Sequence, residues 1–388
     1  MRRHALCTII PPHILRSIAE HGDDEARRDA QLALELTAQT RGERTALAAF
    51  AKMAAVPAGE KRRTIFDARN TRDLPGKRMR GEGDPAVRDA SANEAFDGAG
   101  RTYDFYKKVY GRNSLDDRGL RLDGSVHYGV RYSNALWNGR QMIYGDGDGR
   151  YFNRFTASLD VIGHELTHGV TQYSAALEYD AQSGALNEHF SDVFGVLTKQ
   201  YSLKQTAAKA DWLVGQGLFT SRVHGAAIRS MKAPGTAYDD PVVGKDPQPA
   251  HMKGYVKTDL DNGGVHVNSG IPNRAFYELA TLLGGKAWEV AGKIWYRTLT
   301  RELKNHADFQ ECADATWKAA GDLFGAGGGA QTAVLAAWQT VGIIVTPTVV
   351  AAGPRVLVKE RYRPPAGAAE VPHDVIPSRI DGEGPGWW

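Results

Sequence analysis

The chain has 388 residues, 42% hydrophobic and 24% charged, which is ordinary composition for a folded protein of two or more domains. Its 48 Lys and Arg nearly balance its 45 Asp and Glu, and the basic residues are scattered, which argues against nucleic acid or anionic membrane as a partner. Cys7 and Cys312 lie far apart in sequence, which excludes a disulfide framework and a Cys-type zinc site.

The first 60 residues predict a small helical segment with too few apolar residues for a core of its own. Pro12 suits a first helical turn, and four residues share one helix face: Ala26, Ala30, Leu34 and Thr37. The opening "MRRHALCTIIPPHIL" lacks a signal-peptide apolar region, so we expect a protein that is cytoplasmic or exported by a non-classical route. The string "AGEKRRT" (58–64) predicts an exposed linker open to proteolysis.

The rest of the chain predicts an α+β fold. A helix is expected from Asn93 to Tyr110, followed by a stretch from 125 to 149 that alternates and turns like antiparallel strands. Long helical patterns dominate from Ser158 to Gly342. The uncharged run from Leu323 to Pro354 is interrupted by Gly, Gln and Pro, so we expect no membrane insertion. No role can be assigned to the tail after Ile343.

The stretch "VIGHELTHGV" (161–170) carries two histidines four residues apart. On a helix, His164 and His168 lie one turn apart on one face, so both imidazoles can reach one ion. Glu165 lies about 100° round the helix, beside such an ion, where a base acting on water is useful. A bare His-Glu-x-x-His also arises by chance on exposed helices, so a further ligand is needed.

A third ligand is offered by "GALNEHFSDVFG" (184–195). Glu188 and Asp192 are again four residues apart on a helical pattern, so one carboxylate can bind zinc while the other orients His164. The alternative is a solvated helix face. Apolar neighbours make that alternative weaker: Phe190, Val193 and Phe194.

The loop "DNGGVHVNSG" (261–270) places a histidine among glycines, where the backbone can bend over a cleft. Asp261 can hold the proton of His266 and make it a donor to a developing oxyanion. Alone, the pattern is more typical of a structural Gly-rich loop.

Together these segments resemble the thermolysin-like zinc peptidases. The order "HELTHGVTQYSAALEYDAQSGALNEHFSD", then "IRSM", then "DNGGVHVNSGIPNRAFY" is similar to the family pattern, and the resemblance covers about residues 64–342. It implies a two-lobed zincin with a mainly β N-terminal lobe, a mainly α-helical C-terminal lobe and the active-site helix between them. It also implies a zinc-dependent neutral endopeptidase that prefers a hydrophobic residue on the amine side of the cleaved bond.

The resemblance also implies residue roles. The zinc ligands would be His164, His168 and Glu188, the general base Glu165, and the residues supporting the ligands Asp192 and Asn187. The oxyanion would be stabilised by Tyr179 and His266, with Asp261 behind His266. Peptide substrates would be bound by Asn134, Ala135 and Arg229. Two rival readings are an inactive binding relative and a zinc enzyme acting on a non-peptide amide or ester.

The N-terminal "IIPPHIL" resembles the short Pro-Pro propeptide of the protealysin branch. This implies a propeptide at 1–63 that occupies the cleft as an intramolecular inhibitor and is removed near residues 50–64 by self-cleavage. The remaining boundaries are expected at 64–163 and 164–343 for the two lobes and 344–388 for a C-terminal extension, in a monomeric protein. A Cys7 thiolate on the zinc is an alternative mode of inhibition; a packed apolar Cys7 is favoured over it.

One departure from the family concerns calcium. Of the acidic cluster that holds two calcium ions in other members, Asp160 and Asp211 remain, whereas carboxylates are replaced by Lys199, Leu213 and Gln216. Two carboxylates cannot hold two calcium ions. We therefore expect that the double calcium site is lost and that the Lys199 ammonium pairs with Asp160 and Asp211.

Overall fold

A computed structural model describes residues 8–47 and 60–346. The chain begins with two helices, α1 (Pro12–His21) and α2 (Asp24–Leu47). Pro12 occupies the first turn of α1, where its missing N–H costs nothing, and Gly22 ends the helix. The apolar face of α1 is buried against the rest of the protein through Ile14, Leu15 and Ile18. The predicted helical N-terminal segment is therefore confirmed, and it packs on a larger body.

A five-stranded sheet follows, formed by β1 (Arg63–Asp67), β2 (Lys77–Gly81), β3 (Leu122–Val126), β4 (Ala135–Trp137) and β5 (Met142–Tyr144). The strand order is β2-β1-β3-β5-β4. The antiparallel pairing expected within 125–149 is present between β4 and β5, whereas the pairs β1–β3 and β3–β5 are parallel. Parallel pairing requires crossover connections, which local alternation in the sequence does not report. The edge strand β4 pairs antiparallel with β5 on one side.

Helix α3 (Ala90–Tyr110) lies across this sheet and confirms the helix predicted at 93–110. It begins three residues earlier than expected because the Asp89 side chain accepts a hydrogen bond from Ala92 N and caps the first turn. Gly111, in the left-handed region at φ +73°, ends the helix.

Two long helices cross the centre of the molecule, α4 (Leu159–Gln172) and α5 (Ala181–Leu203). They approach closely because Gly163 and Gly195 face each other. A Cβ on Gly195 would lie 2.4 Å from the carbonyl oxygen of Asp160, and one on Gly163 would lie 3.0 Å from the Cα of Gly195. Any side chain at Gly195 would therefore push the two helices apart. The boundary expected at 163–164 falls inside α4.

Helices dominate the remainder, which agrees with the mainly α-helical C-terminal lobe that was expected. They are α6 (Asp261–Asn268), α7 (Gly270–Leu283), α8 (Ala291–Arg297), α9 (Phe309–Phe324) and α10 (Gly329–Thr340). Two short ribbons lie between α5 and α6: β6 (Leu213–Val214) with β7 (Arg229–Ser230), and β8 (Asp239–Asp240) with β9 (Gly244–Lys245).

Two further expectations, on membrane insertion and on the linker, can be compared with the structure. Within the described ranges, no helix is long and apolar enough to cross a membrane. The exposed linker expected at 58–64 extends too far, because Arg63 and Thr64 belong to β1 and Lys61 pairs with Asp104 at 3.1 Å. Most of the tail and Cys7 lie outside the described residues.

Candidate active site

Three buried donor groups converge between α4 and α5. The Nε2 atoms of His164 and His168 lie 3.0 Å apart. Glu188 from α5 places Oε2 at 3.4 Å from His164 Nε2 and Oε1 at 3.5 Å from His168 Nε2. Ligand atoms of the three residues all lie within 4.8 Å of one another, and each residue is at most 1% exposed. The predicted ligands are thus brought together.

The Nδ1 atom of each imidazole contacts a side-chain oxygen from α5. His164 Nδ1 lies 2.8 Å from Asp192 Oδ1, and His168 Nδ1 lies 2.9 Å from Asn187 Oδ1. With Nδ1 donating its proton to these acceptors, Nε2 of each ring is left with a lone pair directed at the common point. Two neutral imidazoles and one carboxylate are the donor set of a catalytic zinc, so the residues fit that metal.

Asp192 also holds a cation in the protein interior. Arg229 Nη2 and Nε donate to its two oxygens at 2.8 and 2.9 Å. Burial alone would raise the pKa of Asp192, but Arg229 and His164 hold it well below its ordinary value. The carboxylate therefore stays charged and keeps both partners oriented.

Glu165 has one oxygen committed and one available. Its Oε2 accepts a hydrogen bond from Trp137 N at 3.0 Å, whereas Oε1 has no hydrogen-bond partner in the part of the chain that the structure describes. The residue is completely buried, and burial raises the pKa of its carboxyl to about 8. A buried carboxylate with an unused oxygen beside a metal site is suited to accept a proton.

His266 and Tyr179 meet on the opposite side of the donor cluster. Asp261 Oδ1 lies 2.8 Å from His266 Nδ1, and the Tyr179 hydroxyl lies 3.1 Å from His266 Nε2. Tyr179 also donates to Glu188 Oε1. The backbone reaches this position through Gly263 and Gly264, at φ +80° and +76°, which only glycine adopts readily. The pKa of His266 is lowered by burial but raised more by Asp261 and Glu188.

The N-terminal segment lies along the edge strand β4 above this site. Ile9 N donates to Ala135 O at 3.2 Å, and Ile10 N donates to Asn134 Oδ1 at 3.0 Å. Arg229 Nη1 donates to Ile9 O at 3.1 Å. The three residues predicted to bind peptide thus contact a peptide backbone in this structure, that of the chain itself.

Behind the two helices, Lys199 Nζ lies 3.0 Å from Asp160 Oδ2 and 3.0 Å from Asp211 Oδ1. It also donates to Leu213 O at 2.8 Å. Asp160 and Asp211 raise the pKa of Lys199 more than burial lowers it. The expected pairing of Lys199 with these two carboxylates is present.

Besides the Trp137 N–H on Glu165, sequence reasoning missed two side chains that contribute to the site. Asn273 Nδ2 donates to Asp192 Oδ2 at 2.8 Å, and Ser191 Oγ lies 3.0 Å from His168 Nδ1. Both residues lie in segments that were recognised as part of the pattern. Neither has a residue type that signals a site, because Asn and Ser satisfy buried groups throughout proteins.

Three family models match the chain. They describe a protealysin propeptide over residues 7–39, a thermolysin metallopeptidase catalytic domain over residues 49–172, and a thermolysin metallopeptidase alpha-helical domain over residues 175–343. Thermolysin itself is the standard example of a catalytic zinc held by two histidines and a glutamate.

Two relatives match over nearly their full length. An "Extracellular metalloprotease" of Pectobacterium carotovorum subsp. carotovorum is 50% identical, covering 89% of this chain and 99% of the relative. "Protease PrtS" of Photorhabdus sp. (strain Az29) is 47% identical, covering 87% and 92%. The solved structure of a protealysin precursor from Serratia proteamaculans superposes with a TM-score of 0.80 at 52% identity, covering 87% and 99%.

The expected localisation is contradicted by these relatives, because the Pectobacterium protein is named an extracellular metalloprotease. The expectation rested on the composition of the opening residues alone, which is weak evidence for where a protein acts. The expected family, its fold, its metallopeptidase activity and its protealysin-type propeptide agree with the matches. The chain belongs to the thermolysin family of zinc-dependent metallopeptidases and is a zymogen that carries a protealysin-type propeptide as its intramolecular inhibitor.

Proposed function

We propose that this endopeptidase works outside the cell as a monomer and cleaves protein substrates before hydrophobic residues, with Glu165 as its general base. One observation carries the assignment of the base: a fully buried carboxylate oxygen, Glu165 Oε1, has no hydrogen-bond partner in the described ranges and adjoins the His164, His168 and Glu188 cluster. The metal ligands, the base and the oxyanion donors can all be supplied by one chain, so the proposed site needs no partner subunit; sedimentation of the purified protein tests the proposed monomer.

Zinc held by His164, His168 and Glu188 would supply a Lewis acid that polarises a peptide carbonyl and makes water acidic enough to lose a proton near neutral pH. Glu165 takes that proton through Oε1 while the Trp137 N–H fixes its other oxygen. The same oxygen then returns the proton to the nitrogen of the leaving amine. One carboxylate thus serves both halves of the reaction.

His266 and Tyr179 stabilise the negative charge that develops on the carbonyl oxygen. His266 is positioned as a donor because Asp261 accepts from both its Nδ1 and its backbone N, at 2.8 and 3.0 Å. Two fixed donors in a site closed to water stabilise an oxyanion more than solvent does.

Substrate is held as an added strand on β4. Asn134 and Ala135 take up its backbone, and Arg229 donates to the carbonyl one residue beyond the cleaved bond. The preference for a hydrophobic residue on the amine side is supported by Ile9, which lies between these contacts and is 0% exposed. A charged side chain there would be buried without a partner.

Removal of the propeptide is proposed to be self-catalysed near residues 50–64, a range that includes the segment predicted as a linker. Glu165→Gln keeps the size of the side chain and removes the base. We expect that variant to remain full length under conditions where the unaltered chain trims itself. Spontaneous trimming of pure Glu165→Gln protein would overturn self-processing.

Loss of the double calcium site is proposed from the Lys199 contacts, since the ammonium lies where a cation would neutralise Asp160 and Asp211. We expect a calcium-selective chelator that spares zinc to leave the thermal midpoint unchanged. A fall in the midpoint that calcium restores would contradict this.

The activity is tested with an unbiased peptide library, digested with and without a zinc chelator and compared with the Glu165→Gln variant. We expect zinc-dependent cuts before Leu, Ile, Val and Phe, lost in the variant. Binding of peptides without cleavage would indicate an inactive relative that only binds them. Cleavage of simple amides or esters alone would indicate an enzyme that acts on non-peptide substrates.

A further inference from the structure

The N-terminal segment does more than cover the cleft, because its backbone lies in register with the site. Thr8 forms an antiparallel bridge to Leu136 on β4. The next residue, Ile9, makes two backbone hydrogen bonds. Its N–H donates to Ala135 O, and its carbonyl accepts from Arg229 Nη1. An extended strand held at successive peptide groups is how peptides are bound by sheet edges.

The register identifies one peptide bond. His266 Nε2 lies 3.0 Å from the carbonyl oxygen of Thr8, and the Tyr179 hydroxyl lies 3.1 Å from the same nitrogen. The next carbonyl, that of Ile9, is bound instead by Arg229. His266, one of the two proposed oxyanion donors, therefore contacts Thr8 O, which makes Thr8–Ile9 the bond in the position of cleavage. Ile9 is then the residue on the amine side, and it is fully buried.

We propose that the chain hydrolyses its own Thr8–Ile9 bond and that the propeptide from Ile9 onward remains bound as a tethered product. This rests on the endopeptidase function proposed above. Water adds its hydroxyl to the Thr8 carbonyl carbon, the C–N bond breaks, and a proton passes to the Ile9 nitrogen. The products are a peptide of residues 1–8 with a carboxylate at Thr8 and a chain that starts with the amine of Ile9.

Continued binding follows from contacts on the amine side of the bond. Ile14, Leu15 and Ile18 of α1 are at most 2% exposed, and Ser17 Oγ donates to Val242 O at 2.8 Å. The new amine at Ile9 keeps its acceptor, Ala135 O. Because α1 and α2 stay joined to the catalytic part through the linker, rebinding is intramolecular and strongly favoured. Latency therefore outlasts the first cut and ends only when the linker is cut.

The test follows the purified full chain by intact mass, N-terminal sequencing and hydrolysis of a fluorogenic peptide. We expect loss of residues 1–8 at a rate independent of protein concentration, a new N-terminus at Ile9, and no rise in peptide hydrolysis until the linker is cut. Glu165→Gln should keep the bond intact. Loss of residues 1–8 from that variant would mean another protease made the cut and would overturn the proposal.

Matched variants distinguish an effect on cleavage of the Thr8–Ile9 bond from an effect on folding. Ile9→Lys places a cation in a closed apolar position and should slow loss of residues 1–8 at least about 100-fold, whereas Ile9→Leu should keep it. Glu20→Lys makes the same kind of change at an exposed site on α1 and should have no effect. Retention of residues 1–8 in a preparation that digests the added library would overturn this inference alone. Failure to digest the library after linker removal would instead overturn the proposed function.

Discussion

The carboxylate of Asp192 accepts two hydrogen bonds from the guanidinium of Arg229, at 2.8 and 2.9 Å, while its Oδ1 also lies 2.8 Å from His164 Nδ1. All three side chains are at most 1% exposed. One buried charge therefore links the metal cluster to the residue that binds the peptide backbone. Loss of that charge should disturb both.

Replacing Asp192 with Asn should weaken zinc binding about 10- to 100-fold, because His164 loses the acceptor that fixes its ring. It should also lower the free energy of unfolding by about 3 kcal/mol, since the Arg229 cation stays buried without its partner. Zinc competition with a chromophoric chelator and urea unfolding measure the two effects. Asp239→Asn, at an exposed surface pair, is the control. Unchanged zinc affinity in Asp192→Asn would refute the linkage.

Removing an oxyanion donor should lower kcat far more than it changes KM. Tyr179→Phe and His266→Ala are each expected to reduce kcat by about 10²- to 10³-fold, because the donor acts on charge that develops only in the transition state. Steady-state kinetics on one fluorogenic peptide, with the zinc content matched, measure this. Tyr201→Phe, outside the site, serves as the comparison. A tenfold rise in KM at constant kcat would show that these residues bind substrate instead.

Replacing Lys199 with Met should destabilise the protein, since Asp160 is 1% exposed and would face Asp211 without a counter-charge. We expect about 2 to 3 kcal/mol less free energy of unfolding, and partial recovery on adding calcium. The double variant Lys199→Met with Asp160→Asn should recover stability without calcium. Urea unfolding decides this, with the exposed Lys204→Met as control. A Lys199→Met protein as stable as the original would argue against the pairing.

Docking of α1 should weaken in acid through His13. Its Nε2 lies 2.8 Å from the Tyr238 hydroxyl, its Nδ1 is buried, and burial lowers its pKa from 6.5 to about 4. Because the undocked segment binds the proton more readily, the docked state has its full stability above about pH 6.5 and loses it as the pH falls towards 4. The loss is about 1 to 3 kcal/mol.

Hydrogen exchange in α1, measured on Glu165→Gln full chain between pH 7.5 and 4.5, checks the His13 effect. His13→Gln should remove most of the pH slope, whereas the exposed His21→Gln should keep it. Any pH dependence of hydrogen exchange that remains in His13→Gln would come from the four charged groups that interact with His13: Asp261, His266, Arg229 and Arg16. An identical slope in His13→Gln would assign the acid sensitivity to them.

The propeptide should also be held by screened charges. Arg131 pairs with Glu25 and with Asp29, at 3.0 Å for the latter, and Arg150 donates to Asp23 at 2.8 Å. Such pairs contribute about 0.2 to 1 kcal/mol each. Arg131→Ala with Arg150→Ala should therefore speed opening of α2 about tenfold at low salt and less at 0.5 M NaCl, followed by hydrogen exchange. Arg78→Ala is the control; a salt-independent effect would point to lost packing.

The structure brought together every residue that the sequence placed in the site, although several of these residues lie far apart in the sequence. The four-residue intervals of His164 with His168 and of Glu188 with Asp192 are set by the helix itself. By contrast, the parallel strand pairs, the Trp137 N–H on Glu165 and the Asn273 amide on Asp192 join parts of the chain far apart in sequence. Such contacts leave no local pattern to read.

By itself, the sequence predicted the residues of the site: two imidazoles and a carboxylate on helical patterns, a glutamate beside them, and the pairing of Lys199 with Asp160 and Asp211. Only the tertiary structure decided which peptide bond of the N-terminal segment lies at that site. The reason is that register on an edge strand depends on how the whole segment docks, through α1 and its buried side chains. If the N-terminal segment docked on β4 one residue further along, its composition would be unchanged but a different peptide bond would lie at the site.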